Sequence, residues 1–261
     1  IEYYGPGVAT LSAMDRHVIA NMGTELGATS CVFPADTRVS EFFIETGRPN
    51  DYVELLADVG CKYDHHDEIN LSKLEPLIAK PSSPDNVVPV SDVAGEPIYQ
   101  SYIGSSANPG FRDFAITSKI IEGKKSAPGV SFDINPSTRQ VLTNITASGY
   151  LIPIINSGAR IHQTGCNGCN GMGQAPATGK ISLRTVPRNF PGRSGVADDR
   201  VYLCSPETAT ASALTGVITD PRDLNMPYPK IQNPHDWIAT NDIIEPPLSP
   251  KEASNIKIRK G

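Results

Sequence analysis

From Ile98 to Gly216 short apolar runs alternate with helical segments, and this alternation restricts the chain to a parallel sheet with helices laid on its faces. Ile98 to Ile103 reads as a strand that runs into the turn Gly104-Ser105-Ser106-Ala107-Asn108-Pro109-Gly110. A helix is predicted from about Arg112 to Glu122 and a short buried strand over Val130 to Ile134. Pro136 to Ala147 follows as a helix entered at Asn135, with Pro in its first turn. Arg200 to Cys204 is the next strand, and Ser205-Pro206-Glu207 opens a helix to Leu214 that Gly216 closes. Ligands of such sheets gather in loops beyond the strand C-termini. The Gly- and Ser-rich turns, and the run after Arg160, are therefore where a site belongs.

The first part of the chain reads differently. Gly5-Pro6-Gly7 is a turn, and a helix is predicted from about Thr10 to Gly27, with Leu11, Met14, Val18, Met22 and Leu26 as its buried stripe. His17, Asn21 and Glu25 stand four apart and share an adjacent face. A second helix is expected over Asp51 to Val59, ended by Gly60, and a weaker one over Ser72 to Ala79 despite Pro76. Composition shifts to Pro, Ser and Val between Lys80 and Pro97. The expected organisation is a first α/β domain over 1–85, a second α/β domain over 86–235, and a linker over 236–261, holding Pro246-Pro247, towards a further C-terminal domain.

Bulk properties narrow the function. A net charge of −5 and a pI near 5.6 argue against a nucleic-acid partner, although Arg184, Arg188, Arg193 and Arg200 cluster locally. No apolar run approaches the roughly 20 residues of a membrane helix, so no membrane partner is expected. No basic start precedes an apolar stretch, so no signal peptide is expected either, and the chain does not begin with Met. Five cysteines in 261 residues do not make a disulfide scaffold, and only Cys166 and Cys169 form a close pair. A reducing, cytoplasmic setting with a metal or redox use for the pair fits best; in a eukaryote the mitochondrial matrix would serve.

Chemistry concentrates in the run from His162 to Gly173, where Cys166 and Cys169 are interleaved with glycines. Two cysteines two residues apart hold one metal or cluster from a single turn, and glycines admit the backbone that such a turn needs. Four glycines within nine residues do not favour the helix start of a thioredoxin-type pair, and no second close Cys/His pair completes a zinc site. Cluster ligands, redox thiols and inert loop thiols all stay open on spacing alone. Next comes Val186-Pro187-Arg188-Asn189-Phe190-Pro191-Gly192-Arg193, whose two guanidinium groups suit bidentate carboxylate binding, the alternative being a solvated basic loop. Glu25 is a candidate metal or substrate carboxylate if it is not simply solvated. His65-His66 with Asp64, Asp67 and Glu68 reads as a polar surface loop, and Cys61 as core filling.

Four segments, in order, resemble the aconitase superfamily: Gly5-Pro6-Gly7 with Ile19 to Thr29; Tyr102 to Asn108; Gly165 to Gly171; and Arg188-Asn189-Phe190-Pro191-Gly192-Arg193 leading to Ser205-Pro206-Glu207. The resemblance implies aconitase-like three-layer α/β/α domains, two of them packed together, without the family's first and swivelling last domains. It also implies a [4Fe–4S] cluster acting as Lewis acid on a tricarboxylate or dicarboxylate. Cys166 and Cys169 would be cluster ligands, Asn21 and Glu25 the catalytic polar pair, and Arg188 and Arg193 the substrate-carboxylate arginines. The expected reaction is citrate–isocitrate isomerisation through cis-aconitate, in the tricarboxylic acid cycle. Its alternatives are homoaconitase or isopropylmalate isomerase activity, or a cluster-free binding module.

Two positions depart from the family pattern. Its third cluster cysteine falls on Ser106, which leaves Cys204 or Cys31 as substitute ligands, or a smaller cluster, or none. Pro187 stands where many members have Asn. The family's missing domains carry a serine base and a further arginine, so this stretch is expected to be inactive alone and to need them to complete the site.

Overall fold

The computed structural model describes residues 1–239 and 245–257. Among these, seven strands form one sheet in the order β2-β1-β7-β6-β3-β4-β5. The strands are β1 (Leu77–Ala79), β2 (Val87–Pro89), β3 (Gln100–Gly104), β4 (Ser131–Asn135), β5 (Arg160–Ile161), β6 (Ile181–Arg184) and β7 (Arg200–Leu203). The five from β3 to β7 are parallel, and the β1–β2 hairpin pairs antiparallel at one edge. This is the α/β fold with a mostly parallel sheet that the strand–helix alternation implied. Hydrogen bonds cross position 86, since β1 pairs with both β2 and β7. The expected linker at 236–261 lies partly outside the described residues, and within it Pro250–Ala253 forms a single helical turn.

Helices α1 (Ala13–Asn21) and α2 (Thr37–Glu45) pack on each other in the N-terminal part, while α3 (Phe111–Ile121), α4 (Arg139–Ala147), α5 (Leu151–Asn156) and α6 (Pro206–Thr215) pack together on one face of the sheet. Ile103, Phe132 and Ile134 point from β3 and β4 into a core with Phe111, Phe114, Ile145, Ile154, Ala209 and Ala213. A second apolar cluster joins Ile78, Ile98, Ile181, Leu183, Tyr202 and Ile218 across the other half of the sheet. Local signals account for the helix ends. Ser205 accepts a hydrogen bond from the Thr208 amide, Pro206 takes the first turn, and left-handed Gly216 ends α6.

The N-terminal part corrects several expectations. The helix through Thr10–Gly27 is shorter: a Ser12–Asp15 capping box starts it at Ala13, and it stops at Asn21. A separate 3-10 turn, Gly23–Leu26, then carries Glu25, so Asn21 and Glu25 do not share one helix. Gly23 packs so closely on Cys31 that a Cβ there would lie 2.1 Å from the sulfur. The expected stripe is not the buried face, because Met14 and Leu26 are exposed. The buried residue of α1 is Arg16, whose guanidinium binds both Asp36 oxygens and the carbonyls of Val8 and Pro34. No helix forms over 51–59, where Leu55 instead bridges Ala35. Pro76 denies 72–79 its helix, and Leu77–Ala79 is drawn into the sheet. Cys61 is not core filling: it is exposed and its sulfur lies 3.1 Å from the Tyr63 hydroxyl. The His65–His66 loop is exposed, as read from the sequence.

Candidate functional site at the carboxyl edge of the sheet

The chain runs outward from β3 to β4 and β5, then returns to the other side of β3 with β6 and β7. Its direction reverses between β3 and β6, and a crevice opens there beyond the strand ends. The Ser105–Ser106 turn leaves β3 at that point and the arginine loop leaves β6. The cysteine turn fills the connection from β5 to β6.

In the cysteine turn, Cys169 lies on a 3-10 turn, Gly168–Asn170, and Cys166 stands just before its cap Asn167. Cys169 is buried against Tyr102 and Val186, with Cys166 packed beside it. A hydrogen bond from the Cys169 thiol draws the Cys166 pKa down, with further help from the Ser106 hydroxyl and N–H. The same bond, together with burial, pushes Cys169 up. Ser106 therefore meets the Cys166 sulfur, which in turn meets that of Cys169. Cys31 and Cys204 do not join them: the Cys31 thiol hydrogen-bonds Tyr3, and Cys204 packs between the two apolar clusters, where burial raises its pKa. Among the described residues no three His, Cys, Asp or Glu side chains gather to hold a metal.

Both loop arginines reach this edge. Arg193 Nη2 lies 3.6 Å from Cys169 Sγ. Arg188 Nε contacts Glu25 Oε1, bringing the 3-10 turn after α1 against the arginine loop. Each arginine is followed by a buried anchor. Asn189 donates to the carbonyls of Lys80 and Val201, both at 3.0 Å, and Ser194 donates to Asp199. Asn21 lines a cavity of about 360 Å3 with Ala107, Asn108, Pro187, Cys204 and Ser205. Buried polar atoms without a protein partner collect here too: Asn21 Oδ1, Glu25 Oε2 and Arg193 Nε. Native proteins rarely leave such atoms unpaired away from a site.

One set of residues was not recognised in the sequence as a unit, although Tyr102, Asn135 and Arg184 were each noted there for other reasons. Gln100, Tyr102, Asp133, Asn135, Ser182 and Arg184 project from the sheet face opposite the helices, and all are buried. Their signal was alternation: polar residues at every second position of three strands, where a parallel sheet is ordinarily apolar on both faces. Burial lowers the Arg184 pKa to about 10, which leaves the guanidinium charged at neutral pH.

The chain is a member of the aconitase family (aconitate hydratase), whose model matches residues 1–216. It is similar to the 3-isopropylmalate dehydratase large subunit 2 of Archaeoglobus fulgidus, with 34% identity over 85% of this chain and 54% of that protein. The 3-isopropylmalate dehydratase large subunit 1 of Methanopyrus kandleri is 38% identical over 85% of this chain and 53% of its own. The 2,3-dimethylmalate dehydratase large subunit of Eubacterium barkeri is 38% identical over 86% and 54%. The chain thus spans about half the length of the curated relatives it matches. They are named for substituted malates, so the expected place in the tricarboxylic acid cycle finds no support in them. No helix among the described residues is long and apolar enough to cross a membrane.

Proposed function

We propose that this chain carries the thiol- and guanidinium-bearing half of a hydro-lyase site for a substituted malate, of the 3-isopropylmalate or 2,3-dimethylmalate kind. The observation that carries the reading is the convergence of Cys166, Cys169, Ser106, Arg193, Arg188 and Glu25 at one sheet edge. The relatives' names favour this alternative over the citrate–isocitrate reaction. Being large subunits, they also support a second, smaller subunit that completes the site.

The residues fit an iron–sulfur cluster by the chemistry of their donors: Cys166 and Cys169 would hold it, and Ser106 would offer an oxygen in the third place. When bound, the cluster supplies a Lewis acid that polarises the departing hydroxyl. Arg188 and Arg193 bind and orient the substrate carboxylates through their planar guanidinium forks. Glu25, fixed through Oε1 by Arg188, keeps Oε2 to deliver a proton to the departing hydroxyl, which leaves as water, while Asn21 Oδ1 accepts a hydrogen bond from that hydroxyl and orients it. Abstraction of the carbon proton falls to a group on the partner or on the rest of a longer chain.

Anaerobic loading with iron and sulfide tests this. About three to four irons per chain, with matching acid-labile sulfide, are expected. Bound 3-isopropylmalate should then protect the protein from thermal unfolding at lower concentrations than citrate does. A stoichiometric, cycling Cys166–Cys169 disulfide without iron would instead establish a thiol oxidoreductase. Ser106 also motivates a second reading, a cluster-free binding module, which carboxylate binding without any iron uptake would select.

A further inference from the structure

One side chain ties the polar face of the sheet to the cysteine turn at two points. Arg184 is fully buried, and among the described residues no carboxylate lies within ion-pair distance of it. All its hydrogen bonds go to neutral acceptors. Nε donates to Ser182 Oγ at 2.9 Å and Nη2 to Gln100 Oε1 at 2.9 Å. The fork's outer edge donates to two loop carbonyls, Gly168 O at 2.5 Å and Gln174 O at 2.6 Å. One carbonyl lies between the two cysteines and the other where the turn ends. The counter-charge is relayed: Gln100 Nε2 donates to Asp133 Oδ2 at 3.2 Å, and Asp133 also takes Ser131 and His162. A third tie runs beside it, from the Tyr102 hydroxyl to Asn135 Oδ1 at 2.6 Å and from Asn135 Nδ2 to Gln163 O at 2.6 Å.

An isolated buried cation is costly, and hydrophobic residues of similar volume usually pack a sheet face at no loss. Three strands nevertheless place polar side chains so that one guanidinium reaches both carbonyls. We propose that Arg184 is the positioning residue of the cysteine turn, anchored on the sheet through Gln100 and Asp133, and that it sets how Cys166 and Cys169 face Ser106 and Arg193. The proposal rests on the cysteine turn being the ligand-bearing element of the site. Its first test needs no ligand, so the two fail separately.

In the metal-free protein, amide hydrogen exchange is compared for wild type, Arg184→Met, Arg184→Lys and Gln100→Leu. Residues 163–174 should exchange faster in Arg184→Met and Gln100→Leu, with α3 and β4 unchanged, and Arg184→Lys should fall between them and wild type. After iron loading, chelators should strip Arg184→Met roughly 10–100-fold faster than wild type, the range for groups that orient metal ligands. Unchanged exchange at 163–174, or equal acceleration in α3 and β4, would overturn the proposal. Should Arg184→Met fail to fold, Arg184→Lys decides: exchange at 163–174 indistinguishable from wild type defeats it. A wild type that takes up no iron while the exchange pattern holds would defeat the cluster reading and leave the positioning intact.

Discussion

At the scale of single residues, the site depends on groups whose neighbours change their chemistry. Cys166 accepts a hydrogen bond from Cys169 and others from Ser106, which favours the thiolate, the form that binds iron. Cys166→Ser should lose bound iron while its far-UV circular dichroism stays that of wild type; unchanged iron content would remove the turn from the site. Arg188 differs from a solvated basic residue because it meets Glu25 in a largely buried contact, the glutamate side chain being 12% exposed. Arg188→Lys, studied with the partner that completes the activity, should weaken transition-state binding by roughly 2–5 kcal/mol, read as a drop in kcat/KM. Lysine cannot copy a fork that holds a carboxylate and a substrate together. Glu25 shows where the sequence stopped: its spacing from Asn21 suggested a shared helix, yet Gly23 against Cys31 ends α1 and turns Glu25 towards the arginine loop by another route.

At the scale of elements, the cysteine turn and the arginine loop meet backbone to backbone. Gly171 has φ +84°, and a Cβ there would lie 2.1 Å from the Ser194 carbonyl oxygen. Gly171→Ala should therefore cost about 1–3 kcal/mol in denaturant unfolding, and should weaken iron and carboxylate binding together because it wedges the two loops apart. Helix α3 offers a different handle. Asp113 accepts from the Gly110 amide at its first turn, and burial raises its pKa to about 6. A raised carboxyl favours the protonated fold, so its contribution is complete below about pH 4 and is lost as pH rises through about 6. Urea titrations should show wild type losing stability relative to Asp113→Asn across that window. Asp36 and Asp220, held low by Arg16 and Arg222, act in the opposite sense at lower pH.

At the scale of the whole molecule, loops separated by more than a hundred residues in sequence form one edge, so a ligand that bridges them should stabilise the entire fold. A malate-type dicarboxylate at a hundred times its Kd should add about 2.7 kcal/mol to unfolding, an increment that Arg188→Lys should reduce. Much of this architecture was legible in the sequence. The parallel sheet, α3, and α6 with its Ser205 and Gly216 caps follow from local periodicity, capping and turn residues, which act within one turn of the chain. Strand β6 was not legible, because Ser182 and Arg184 interrupt its apolar pattern, and neither were α2 and the Leu77–Ala79 strand. The sequence by itself determined which residue types could bind iron and carboxylates. Only the tertiary structure decided that Ser106 meets Cys166, that Arg188 meets Glu25, and that a buried guanidinium holds the cysteine turn. Those meetings depend on strand order across β6, β3 and β4, and a side chain carries no local trace of the distant strand it will lie beside.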